Sequence, residues 1–129
     1  MSAVDVRDIA EVAAVALTEP GHVGRTYDVT GPEAVTHAEI ADAVAAAAGH
    51  AVRFVDVPPA AFADGLRGVL PPWQLDGLVE DYAHYARGEA ATVSPVVEQL
   101  TGHAPRSVAE FAADHAALFA RPVQPSRPA

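Results

Sequence analysis

Trp73, Asp81, Tyr82 and Tyr85 fall in one stretch whose spacing predicts a helix from Trp73 to Arg87. Leu75, Leu78, Val79, Tyr82 and Ala86 form its apolar stripe. A phenol within such a stripe needs a hydrogen-bond partner or a pocket. Trp73 and Tyr85 extend Tyr82 into an aromatic wall, with Asp81 at its edge. A wall of this kind suits a flat, apolar ligand, although the same side chains also serve as ordinary core aromatics. His115 shares the apolar face of the last helix with Phe111, Leu118 and Phe119. Bordering the wall, it would be the best general acid or base near neutral pH; otherwise it is a core imidazole bonded to backbone. Asp81, Tyr82 and His115 are therefore the catalytic candidates.

The other chemistry-bearing residues point to less. Asp76, Glu80, His84 and Arg87 line a polar face, which makes His84 a solvated neighbour of Glu80 at i, i+4. The six histidines have no zinc-site spacing, and Asp81 with His84 is the one carboxylate–histidine pair at i, i+3 within an expected helix. No metal is expected. There is no cysteine, so thiolate chemistry and disulfides are excluded. There is no lysine, which excludes Schiff-base catalysis and the Tyr–Lys pair of many nucleotide-dependent reductases. Gly21-His22-Val23-Gly24 lacks a strand before it and a helix after it, so it is not a dinucleotide fingerprint.

The elements that must position these residues are organised around 25–58. Arg25 to Thr30 and Ala51 to Val57 are β-prone. Between them Thr36 and Glu39 form a capping box for a helix that Gly49 closes. This reads as a βαβ unit with a parallel strand pair, to which 3–6 could add a short strand. Asp5 caps a first helix to Thr18, with Val6, Ile9, Ala10, Ala13 and Leu17 on its buried face and Arg7, Asp8 and Glu11 opposite. Helices follow over 60–70, 73–87, 95–100 and 108–120, the last opened by a Ser107–Glu110 capping box. The expected fold class is α/β, with two or three short parallel strands and about six helices. One domain spans 1–120, and the proline-rich 121–129 is expected to be a disordered tail.

The 129 residues carry a formal charge of −9, and their apolar half is dominated by alanine. Eight scattered arginines make no phosphate-binding patch, so nucleic acid and anionic membrane are not expected partners. No apolar run reaches bilayer length and no signal peptide is evident, so the expected location is the cytoplasm.

Val4-Asp5-Val6-Arg7-Asp8-Ile9-Ala10, followed by Gly24-Arg25-Thr26-Tyr27-Asp28-Val29-Thr30-Gly31-Pro32-Glu33-Ala34, resembles the middle of an NmrA-like protein. Leu100-Thr101-Gly102-His103-Ala104-Pro105-Arg106-Ser107 and Glu110-Phe111-Ala112-Ala113-Asp114-His115 resemble the end of one. These are atypical short-chain dehydrogenases/reductases, some of them NAD(P)H:quinone-reductase-like. The resemblance implies the substrate-side C-terminal lobe of a Rossmann-type reductase without its N-terminal dinucleotide-binding half. No cofactor is expected on this chain, and the implied substrate contacts are Phe62, Trp73, Tyr82 and Tyr85.

It also implies a bare edge at 26–29, to be covered by a second copy or by a separate nucleotide-binding chain. Three functions remain open. One is a small-molecule-binding lobe working as a cofactor-independent isomerase, cyclase or dehydratase on a polyketide- or quinone-like substrate. The others are half of a split NAD(P)H-dependent oxidoreductase, and a non-catalytic regulatory or assembly module.

Overall fold

A computed structural model describes residues 1–120; the expected disordered tail, 121–129, lies outside the described residues. The helices are α1 (Val6–Thr18), α2 (His37–Ala48), α3 (Pro59–Leu66), α4 (Pro72–Ala86), α5 (Val96–Thr101), α6 (Val108–Asp114) and α7 (Ala116–Phe119). They pack in groups: α1 on α5, α3 on α4, and α2 on both α6 and α7.

Local chemistry sets most helix ends. Asp5 caps α1 by accepting the Arg7 N–H, and the Thr36–Glu39 and Ser107–Glu110 capping boxes are both formed. Gly49 and Gly102 close α2 and α5 in the left-handed region that glycine tolerates best. The expected last helix is broken in two at His115. Its backbone N–H and its Nδ1 both reach the Phe111 carbonyl, the ring bond at 2.9 Å. A side chain competing for that acceptor disturbs the ladder where α6 ends and α7 begins.

The expected βαβ unit is the main departure. Neither 25–30 nor 51–57 enters a ladder, and among the described residues the β-bridge is an isolated one between Arg67 and Leu70. Strands are defined by partners, and β-propensity supplies none. The first residues, expected as a short strand, are instead held by separate bonds from both sides. The Ser2 N–H donates to Ala90 O at 2.7 Å, while the Gly31 and Val35 N–H groups donate to Ser2 O and Met1 O at 3.3 and 2.8 Å. Gly31 is buried here, and a Cβ on it would lie 1.9 Å from the Ala3 carbonyl oxygen.

The buried face of α1 is also not the expected one. Asp8 and Val12 are buried, whereas Val6, Ile9, Ala10, Ala13 and Leu17 are exposed, Val6 at 68% and Leu17 at 85%. The cause is an ionic clamp. The Arg106 N–H donates to Asp8 Oδ2 at 2.7 Å, and its guanidinium donates to Asp8 Oδ1 and, at 2.9 Å, to Glu11 Oε1. Arg7 is held by Asp5 at 2.6 Å and Asp114 at 2.7 Å. A fully buried carboxylate must be paired, and Arg106 is reached only by turning the Asp8 side of α1 inward.

The core that results is thin: Val12, Leu75, Val97 and Ala112 are its buried apolar members. The chain exposes 9215 Å², where a compact monomer of its 13.3 kDa exposes roughly 6,500 Å². Full exposure of 121–129 would account for only about 1,350 Å² of the difference.

Two outcomes test this account. Gly31→Ala should destabilise the chain by about 1–3 kcal/mol through overpacking, read as a lower urea midpoint. Arg106→Ala strands the Asp8 carboxylate, a type of change that costs about 3–5 kcal/mol. Asp8→Ala leaves Arg106 its Glu11 partner and should cost less, so equal losses in the two variants would contradict the clamp.

Candidate functional site

Tyr82 of α4 is the centre of a cluster of rings. Its centroid lies 5.2 Å from Phe62 of α3 and 5.7 Å from Tyr85, both edge-on. Its third neighbour is His37, the first residue of α2, at 5.4 Å and 29°. Phe54 stacks on His37 at 5.3 Å and 22°. These are offset-stacked and edge-to-face geometries, each favourable beyond the area buried. Phe54, His37 and Tyr82 thus form a three-ring stack. Phe62 and Tyr85 buttress it.

The cluster opens to solvent. Tyr82 is 41% and Phe54 48% exposed, and His37, Phe62 and Tyr85 are half-buried. A cleft of about 310 Å³ adjoins it at Tyr85, lined also by Val4, Val29, Thr30 and Thr92.

The structure brings Phe62, Tyr82 and Tyr85 together. Trp73 stands apart, 76% exposed with no ring contact among the described residues; nine residues of helix separate it from Tyr82 by about 13 Å along the axis. Asp81 is exposed and forms no ion pair with a described residue. His115 sits between α6 and α7, which pack on α2 and not on α4. Its ring stacks on Phe111 at 4.4 Å, and Nδ1–H donates to the Phe111 carbonyl, which is the backbone-bonded alternative for this histidine. His37 and Phe54 belong to the cluster and were not singled out in the sequence. No local signal marks them, because the stack joins positions 37, 54 and 82.

The six histidines differ in what occupies their ring nitrogens. His22 bonds Tyr27, His50 the Ala51 and Phe119 carbonyls, His84 the Glu89 carboxylate, His103 Glu11 and Ala104, and His115 Phe111. His37 alone has no hydrogen-bond partner for either ring nitrogen among the described residues.

Asp8, Glu11 and His103 form a second group, their potential ligand atoms within 4.8 Å of one another. The Arg106 guanidinium already stands between the two carboxylates, so the cluster carries its own cation. His103 faces two acceptors, the Ala104 carbonyl at 2.8 Å and Glu11. Both its nitrogens must donate, which is the imidazolium form. The Ala104 carbonyl first, and Glu11 second, raise its pKa above 6.5. The His103 and Arg106 hydrogen bonds hold Glu11 below 4.5. The Arg7 hydrogen bond lowers Asp5 from 3.8 to about 2.

No family model matches the chain. It is 43% identical over 120 residues to an NAD(P)H azoreductase of Xenophilus azovorans, a match that spans 92% of this chain and 42% of that protein. It is 36% identical over 120 residues to a (4-alkanoyl-5-oxo-2,5-dihydrofuran-3-yl)methyl phosphate reductase of Streptomyces griseus, spanning 93% of this chain and 43% of that one. The crystal structure of an NADPH-dependent quinone oxidoreductase from Escherichia coli superposes with a TM-score of 0.78 at 27% identity. That superposition covers 88% of this chain and 42% of the other. The chain therefore has the fold of part of an NADPH-dependent quinone oxidoreductase. It spans about two-fifths of the length of the relatives it matches.

The described residues do not fit a nicotinamide dinucleotide. Its pyrophosphate needs a glycine-rich turn leading into an open helix N-terminus. Asp5, Glu39 and Glu110 already place carboxylates on the N-termini of α1, α2 and α6. The chain enters α3, α4 and α5 through Pro58, Pro71 and Pro95, without glycine. Among the described residues, no helix is long and apolar enough to cross a membrane.

The ionic clamp sets a pH dependence with two limbs. A histidine raised on folding contributes stability below 6.5 that is lost as pH rises through its folded value. Glu11 and Asp5, lowered on folding, contribute above 4.5 and 3.8 and lose that contribution as pH falls through their folded values. Urea midpoints should therefore be highest between about pH 4.5 and 6.5. His103→Gln should flatten the alkaline limb and leave the Asp5 contribution to the acid limb in place.

Proposed function

We propose that this chain is the substrate-side lobe of an NmrA-like, NAD(P)H-dependent oxidoreductase, and that the Tyr82 cluster receives a flat, conjugated substrate. The observation that carries the reading is the ring stack itself: exposed aromatic faces on a chain whose relatives are named as azo-, furanone- and quinone-type reductases. An azo group, a quinone and a 5-oxo-dihydrofuran are alike in being planar and in bearing a hydrogen-bond acceptor. The partly exposed Phe54 and Tyr82 rings suit such a frame alongside them, and Phe62 and Tyr85 limit its reach. These same relatives favour a reductase over a cofactor-independent isomerase or cyclase.

The nicotinamide nucleotide is then held by a separate nucleotide-binding unit. Two observations support a partner surface. After allowing for 121–129, the chain still has more than roughly 1,000 Å² beyond a compact monomer, which matches the roughly 800 Å² per partner of a stable interface. The exposed apolar face of α1, with Val6, Ile9 and Leu17, offers a continuous surface for it. The bound nucleotide would supply hydride. This chain's residues would bind and orient the acceptor and exclude water from it.

The test is a titration of the purified chain with menadione and, separately, with NADPH, followed by NMR of the aromatic side chains. Menadione should shift the Phe54, Phe62 and Tyr82 signals, and Tyr82→Ala should weaken binding about tenfold or more. NADPH should produce no shift. Absence of menadione binding would remove the substrate reading, and tight NADPH binding by this chain alone would remove the partner reading.

A further inference from the structure

We infer that His37 is the polar determinant of the ring cluster: its ring-edge N–H donates a hydrogen bond to the acceptor atom of the bound ligand, and so selects conjugated acceptors over hydrocarbons of the same shape. The inference rests on the substrate reading above and deepens it. Two independent observations support it.

The first is the distribution of hydrogen bonds. Five of the six histidines spend a ring nitrogen on a bond to a described residue, and His37 does not. A half-buried imidazole without a partner among the described residues keeps a donor and an acceptor available.

The second is the stack. Phe54 and Tyr82 lie near-parallel to the His37 ring, at 22° and 29°, with centroids 5.3 and 5.4 Å away. The N–H and the nitrogen lone pair both lie in the ring plane, so near-parallel neighbours do not engage them. The stack also holds the ring's orientation, so a ligand gains a donor already in position. A donor with no freedom left to lose discriminates better than a mobile one. The Tyr82 hydroxyl has no described partner either; its residue is 41% exposed, and His37 is the more buried of the two.

The experiment compares two ligands of nearly equal shape, menadione and 2-methylnaphthalene. The second lacks any carbonyl oxygen to accept the bond. The wild-type chain should bind menadione about tenfold more tightly than the hydrocarbon, the effect of one hydrogen bond. His37→Phe keeps a ring in the stack and removes the donor, and should bind both ligands equally. His37→Gln keeps a donor and gives up the stack; it should weaken both ligands while retaining part of the preference. Thermal melts of the three proteins establish that each is folded.

If His37→Phe binds both ligands and keeps the wild-type preference, the assignment of His37 is overturned and the binding site stands. If the wild-type chain binds neither ligand, the site and the assignment fall together.

Discussion

The burial of Asp8 is the constraint on which the arrangement of this chain depends. A carboxylate removed from water must find charge and hydrogen bonds of its own. Here they come from the backbone and side chain of Arg106, nearly a hundred residues away. That bond fixes the rotation of α1 and brings the 103–107 segment against it. Ser107 can then open α6 beside α2. With so few fully buried apolar side chains, the hydrophobic effect alone is a weak guide to which face of α1 turns inward. The ionic clamp supplies the missing specificity, as a buried polar group fixes register in other helical assemblies.

The opposite side of α1 bears the cost of that choice. Val6, Ile9 and Leu17 face outward, and the two β-prone segments enter no ladder among the described residues. These features share one physical basis, since apolar faces and strand backbones are both built for a neighbour. The superposition on a quinone oxidoreductase covers 42% of that chain. The ring cluster lies where Phe62 of α3 and Tyr82 of α4 meet His37 at the start of α2, and Tyr82 and Phe54 are partly exposed there.

Much of the local structure was legible in the sequence because its causes lie within four residues. Asp5, Thr36 with Glu39, and Ser107 with Glu110 marked helix starts, and Gly49 and Gly102 marked ends. Phe62, Tyr82 and Tyr85 meet, whereas Trp73, read into the same wall, stands apart from them. The face of α1 was misread because periodicity counts apolar residues and cannot see that Arg106 will arrive to neutralise Asp8. The βαβ unit was misread because propensity describes a single segment, whereas a strand is a property of a pair.

The sequence by itself determined where most helices begin and end, and which chemistries are closed to a chain with neither cysteine nor lysine. Only the tertiary structure decided which side of α1 is buried, that His115 is occupied by its own helix, and that His37 stands between Phe54 and Tyr82. The reason is range. Capping and helical periodicity act over a few residues, while a buried ion pair and a stack of rings join side chains whose separation along the chain carries no trace of their meeting.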